Sequence, residues 1–361
     1  MDITTAATQY FSRPKDERFP SLQALIEHGA KEKAHSKEVG YNLKDLHVQG
    51  DDAKGLILQS PKGEATFSPW SFDQLSRLVG APAGYLRKLP ASLTARNLQH
   101  GFDSSPIGST ASLLLTRREG TELPVVRAAT SGSYGRVWGC DLHGGIQQAI
   151  KGEQWGLPPT WDGIPAGAYE GDRDSFLIYC NGGSIVNDPS AGHDGRMSRG
   201  LLVKNSEVGA SAVVIEAILY RYVCGNHNLW GAVVDKSFRR RHIGVHALRD
   251  TIREIGSLAH KWANKSGNED EALIKLLISH ELASTREAIV DELRTMGASK
   301  EQAERAYDKA ESTEQAGPRS YWGLSQGLTR LSQESGFQDE RFEIDKIALA
   351  VLKRGRQLVT A

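Results

Sequence analysis

Two long apolar runs dominate the middle of the chain. The first, Gly200-Leu-Leu-Val, passes into a polar knot of Lys204, Asn205, Ser206 and Glu207; the second extends from Val213 to Val223 and ends near a further polar group, Asn226-His227-Asn228. Runs of this length, rich in β-branched residues and bounded by turn formers, predict strands. Alternation along the second run places Glu216 on the face that carries Val214, Ile218 and Tyr220. Upstream, Ser112–Arg117 and Leu123–Ala129 flank a Glu119-Gly-Thr-Glu turn and predict an antiparallel hairpin, and Ser175–Tyr179 predicts another strand. Gly231–Asp235 suggests a further short one. The intervening segments, Thr130–Arg136 and Asn181–Met197, are rich in Gly, Ser, Asn and Asp and predict loops.

Helical spacing governs the rest. Ser71 and Gln74 have the spacing of a capping box before Leu75 and Leu78, Gly80 is a stop, and Pro82 opens a second short helix with Tyr85, Leu86 and Leu89. This reads as an ordinary helical hairpin in preference to a DNA-reading helix-turn-helix. A helix is expected from Asp141 towards Ile150. After Lys236, Leu248, Ile252, Ile255 and Ala259 mark a core-facing helix. Further helices are predicted over Glu271–Leu282, from Ser284 with Glu287 as its capping partner, from Ser299 with Gln302, over Tyr321–Leu331, and over Ile344–Leu358. The expected fold class is α+β, with a central, mostly antiparallel sheet, flanking helices and a helical C-terminal third. The expected division is a polar N-terminal region over 1–60, the helical hairpin over 61–105, an α+β core over 106–260 and a helical region over 261–361.

Composition narrows the classes. The chain has 361 residues, 44 basic and 44 acidic, so no global charge drives association and any nucleic-acid surface must be local. Three dispersed cysteines, Cys140, Cys180 and Cys224, without a C-x-x-C pair, support neither a disulfide framework nor a cysteine zinc site and suit a reducing cytoplasm. No apolar run is long enough to span a bilayer and the N-terminus has no leader pattern, so neither membrane nor export is expected. The Gly132-Ser-Tyr-Gly135 pattern lacks the Gly-Lys-Ser/Thr ending of a phosphate loop, and neither G-x-S-x-G nor H-E-x-x-H occurs. No cofactor and no metal is therefore expected.

The strongest chemical signal is a set of cations interleaved with aromatics: Arg127, Tyr134, Arg136, Arg199, Lys204, Arg221 and the run Arg239-Arg240-Arg241. Cations that track a phosphate backbone and aromatics that stack on bases are what sequence-tolerant single-strand binding requires. The competing reading of such cations is a solvated rim or internal ion pairing. A catalytic alternative uses Glu216, His227 and Asp235 in a metal-assisted hydrolase or nuclease, although a carboxylate at position 216 is more simply the partner of a core cation such as Arg127 or Arg221. A third alternative is an interaction protein that inhibits a host factor through its helical C-terminal third.

With those residues in view, the chain resembles a family carried by phages and plasmids and filed as a domain of unknown function. The resemblance rests on Leu75–Leu86 with Leu89-Pro90, on Val126–Tyr134, on Gly200–Gly209, on Arg221–Cys224 with Asn226, and on Trp322, and it covers about residues 60 to 335. The chain departs from the pattern at Gly225–Asn228, so no role for His227 follows from it. The resemblance implies a mobile-element setting, no catalytic residue, and a DNA transaction by association. The combined expectation is a nucleic-acid-binding protein, single-stranded DNA favoured, acting in replication or recombination, with a homo-oligomer as the assembly an annealing role would use.

Overall fold

The computed structural model describes residues 17–52, 55–118, 120–152, 154–158, 168–190, 195–221, 227–228, 237–244, 246–334 and 338–360. The fold is α+β, as the sequence pattern predicts, but it is built on two sheets where one central sheet was expected.

The first sheet has six strands in the order β1-β5-β6-β4-β3-β2. These are β1 (Ser36–Asn42), β2 (His47–Asp51), β3 (Gly55–Ser60), β4 (Gly63–Phe67), β5 (Thr110–Thr116) and β6 (Val125–Thr130). All its pairings are antiparallel except β4 with β6. Helices α2 (Pro69–Leu78), α3 (Ala83–Leu86) and α4 (Ala91–Asp103) cover one face, burying Phe72, Leu75, Leu98 and Phe102 against Val39, Leu58, Leu113 and Val126. The region before residue 60 thus contributes α1 (Leu22–Ala34) and three strands to a real core, and the expected boundary at residue 60 falls in the β3–β4 turn. Its buried positions are spaced singly among polar ones, Val39, Tyr41, Leu43, Leu46 and Val48. That alternation is the mark of a half-buried sheet and leaves no long apolar run to see.

The second sheet has the order β12-β11-β10-β9-β7, with β13 also on β11 and β8 on β9, and all its pairings are antiparallel. Its strands are β7 (Trp155–Gly156), β8 (Ala168–Glu170), β9 (Ser175–Asn187), β10 (Arg196–Asn205), β11 (Val213–Arg221), β12 (His227–Asn228) and β13 (Ser237–Arg240). Val213, Ile215, Ala217 and Leu219 face the main core, while Ile218 and Tyr220 face a second cluster with Tyr169, Phe176, Ile178 and Leu202. Burial on both faces explains why β10 and β11 read as continuous apolar runs. The loop expected over Asn181–Met197 is strand up to Asn187.

The main core is closed by α5 (Gly139–Ala149), α6 (Ala247–Ala263), α7 (Gly267–Ser279), α8 (Arg286–Thr295), α9 (Lys300–Thr313), α10 (Tyr321–Glu334) and α11 (Gln338–Thr360). The capping box predicted at Ser299 and Gln302 is present. Two others shift. Thr285, not Ser284, caps α8 through Ala288 N, and α2 is capped three residues earlier by Ser68 with Ser71. Gln74 is thereby released for a different task, described below. The strand expected over Gly231–Asp235 lies outside the described residues.

Candidate functional site

Most of the cations expected on a binding surface are internal. Arg127, on β6, is 5% exposed and sits 3.3 Å from Glu32 Oε2 and 3.4 Å from Glu207 Oε2. Arg136 has a 3% exposed side chain that pairs with Glu38 Oε1 at 3.0 Å, donates to the Glu207 carbonyl and lies over the rings of Tyr134 and Trp138. Arg199 is fully buried, ion-paired with Asp270 and stacked 4.3 Å over the Trp262 ring. A guanidinium at zero exposure is tolerated only when paired, and each of these three is. Tyr134 is equally committed: its ring stacks on His242 at 5.1 Å and its hydroxyl donates to the Ser206 carbonyl at 3.0 Å.

Lys204 lies on the second sheet beside Glu216, its neighbour on the adjacent strand. Burial lowers the Lys204 pKa, opposed by the charges of Glu216, Asp345 and Asp174. Glu216 therefore has a structural cation close by, and it is Lys204; Arg127, one of the two partners expected for it, is spent on Glu32 and Glu207. The side chains of Arg221 and His227, and all of Asp235, lie outside the described residues. Among the described residues no group of three histidine, cysteine or carboxylate side chains could hold a metal ion.

The polar knot after β10 is the seam between the two sheets. Asn205 Nδ2 donates to Val137 O at 2.9 Å, and Ser206 Oγ donates to Arg173 O at 2.6 Å while accepting from Ala210 N. Glu207 Oε1 accepts from Gly139 N at 2.8 Å, at the positive end of α5. Val208 O accepts from both Trp70 Nε1 and Gln74 Nε2, and Gln74 Oε1 accepts from Ala129 N. Val208 itself packs with Leu114 and Ala128 of the first sheet. The density of hydrogen-bonding side chains there serves buried backbone groups that neither sheet satisfies.

One group of exposed cations gathers around β13 and α6. Arg240 points back to Asp250 Oδ2 at 3.5 Å and Glu254 Oε1 at 3.8 Å, while Arg239 and Arg241 are exposed and, among the described residues, have no ion-pair partner. On α6, Arg249 is 74% exposed and Arg253 is exposed one turn further on, followed by exposed His260 and Lys261. Over residues 237–265 the sequence holds seven Lys or Arg (239, 240, 241, 249, 253, 261, 265) and two acids (250, 254), a formal excess of five in a chain of net charge zero. Sequence reasoning found the arginine run but missed its continuation. The signal was present: Arg249, Arg253 and His260 recur at i, i+4 and i+11, the solvent face of the same helix whose inner face carries Ile255, Ala259 and Trp262. Comparison with protein-family models, with curated proteins and with solved structures returned no match.

Proposed function

We propose that this protein binds nucleic acid through its phosphates, single-stranded DNA in the first place, and that the contact surface is the outer face of β13 and α6. The single observation that carries the reading is the exposed set Arg239, Arg241 and Arg253, without an ion-pair partner among the described residues, within a segment of formal charge excess five. Nucleic-acid affinity without sequence preference is dominated by phosphate neutralisation and counterion release. Cations already committed inside the fold contribute little to it, so Arg127, Arg136, Arg199 and Lys204 leave the binding set and Arg249, Arg253 and Lys261 enter it. The resemblance to a phage- and plasmid-borne family agrees with a DNA transaction by association.

The test is fluorescence anisotropy with a labelled single-stranded oligonucleotide at low salt. The Arg239→Ala/Arg241→Ala/Arg253→Ala variant binds on the order of tenfold or more weaker, because each lost phosphate contact removes its counterion release. A variant with unchanged circular dichroism and unchanged affinity would remove this surface from the account.

A further inference from the structure

The molecule carries a second site that the basic surface does not use. A cleft of about 260 Å³ opens where α1 meets the β8–β9 turn, walled by Glu17, Glu32, Arg118, Arg127, Glu170 and Asp172. Gly139, the first residue of α5, lies behind it: a methyl group placed there would be 3.4 Å from Glu207 Oε1 and 3.7 Å from Glu170 Oε1, so both carboxyls converge on one point. Five carboxylates therefore surround two guanidiniums. The guanidiniums are spoken for, Arg118 by Asp172 and Arg127 by Glu32 and Glu207. His28, which also lines the cleft, adds no charge to offset them, since burial lowers its pKa.

Glu170 is left in the least favourable position. It is 7% exposed and its carboxyl, among the described residues, makes no hydrogen bond or ion pair, although it lines the cleft. Burial, with the nearby charge of Glu207, pushes its pKa up to about 8. Burial raises Glu207 as well, but Arg127 and the Gly139 N–H favour its charged form. The proton of the pair accordingly resides on Glu170. Cys140 of α5 lies close by, since a methyl group on Gly29 of α1 would be 3.2 Å from Cys140 Cβ and 3.5 Å from Glu170 Oε2; burial pushes its thiol up to about 12, so it stays neutral. Glu170 is kept neutral by desolvation and by the charges of Glu207 and Glu32, against which Arg127, already paired with those two carboxylates, is too weak; a cation placed beside it would favour its charged form.

We propose that this cleft binds a small organic cation of the alkylammonium class, which pairs with Glu170 and displaces its proton. The electrostatics decide the sign of the ligand: Glu17, Glu32, Asp172 and the protonated Glu170 line the cleft against the committed Arg118 and Arg127, so an anion would add to the acidic excess and an ammonium group would relieve it. Among the described residues no three of these carboxylates are grouped to hold a metal ion, so the cation proposed is an organic one. The volume is right for one short aliphatic amine and its water, well below that of a drug-sized pocket. The step balances simply: Glu170 loses one proton to solvent as the ammonium, already charged, becomes its partner.

The experiment is isothermal titration of the full chain with putrescine in two non-amine buffers of different ionisation enthalpy, with inorganic phosphate as the opposite-charge probe. Wild type binds putrescine saturably at pH 7 with net proton release, and its affinity rises between about pH 6 and pH 8, where the raised Glu170 carboxyl is progressively cleared of its proton. Glu170→Gln, close in shape to the protonated acid, binds at least tenfold more weakly and releases no proton. Absence of saturable binding by wild type, an affinity that does not change with pH, equal proton release from Glu170→Gln, or preferential binding of phosphate would each overturn the proposal. The pH series on wild type alone decides the matter should the variant fold poorly. Because the cleft shares no residue with the β13–α6 surface, either proposal can fail without the other.

Discussion

Arg199 shows how a residue can carry the right chemistry for one role and the right surroundings for another. From the sequence it is one more arginine in a basic, aromatic-rich region. In the fold it is fully buried against Asp270, itself 1% exposed and also held by Lys265, with the Trp262 indole beneath. Removing one member of a buried pair strands the other charge, so Arg199→Ala costs about 3–5 kcal/mol of stability. Replacing both with apolar residues, Arg199→Met with Asp270→Leu, costs less than the single change, because no charge is left uncompensated. Denaturant unfolding of the three proteins checks this, and a single variant as stable as wild type would contradict it. Which cations are internal was not legible in the sequence. Arg127 and Arg199 occupy strand positions whose alternation says inward, but the partners that make an inward guanidinium acceptable, Glu32, Glu207 and Asp270, lie 71 to 95 residues away along the chain and are nearby only in the fold.

At the scale of elements, the strands, hairpins and C-terminal helices were readable because their periodicity is strong. The two long runs became β10 and β11, the Ser112–Ala129 hairpin became β5 and β6, and the Ser299 capping box starts α9. What failed was local competition. Ser68 precedes Pro69, which suits the first helical turn, and so takes the cap from Ser71. Gln74, freed from capping, joins α2 to β6 and to the turn that follows β10. The pairing of β10 brings a close approach that no propensity predicts. A Cβ on Gly200 would lie 2.7 Å from Ile218 Cγ1 and 2.9 Å from the Tyr179 carbonyl, while Trp262 Nε1 donates to Gly200 O at 3.0 Å. Gly200→Ala, a change that normally favours a strand, is expected here to destabilise by about 1–3 kcal/mol. Thermal unfolding reads the sign, and a stabilised variant would show that the strands separate freely at this point. The same scale explains the missed half of the candidate surface. Arg249 and Arg253 belong to the outward face of α6, and they gain meaning only once β13 is seen to lie alongside, through Arg240 with Asp250 and Glu254.

Across the whole molecule, buried titratable groups of opposite sign set a pH optimum. Glu170 is raised to about 8 from 4.5, so the folded state binds more protons than the unfolded one between those values, and stability falls as pH rises through that window. Burial lowers His143 and His242 to about 4 from 6.5, so their contribution is complete above about pH 6.5 and is lost as pH falls towards 4. Each group contributes a slope of roughly 1.4 kcal/mol per pH unit at most. His28, lowered likewise, adds to the acid limb and Glu207, raised likewise, adds to the alkaline one, so stability passes through a maximum between the two limbs. Chemical denaturation from pH 5 to pH 8.5 should trace this dome, and Glu170→Gln should flatten its alkaline side; a profile that keeps rising to pH 8 would contradict the assignment of the proton to Glu170. The α+β class and the helical C-terminal third were legible from the chain. The division into two sheets was not, because the seam consists of single hydrogen bonds from Trp70, Gln74, Tyr134 and Asn205 across long sequence separations.

We propose that the outward cations of β13 and α6, and not the buried ones, meet nucleic acid. The most direct test is the salt dependence of single-stranded oligonucleotide binding by wild type and by the Arg239→Ala/Arg241→Ala/Arg253→Ala variant. Three lost phosphate contacts should reduce the slope of log affinity against log salt by about 2. Equal slopes for the two proteins, or no binding by wild type at low salt, would contradict it.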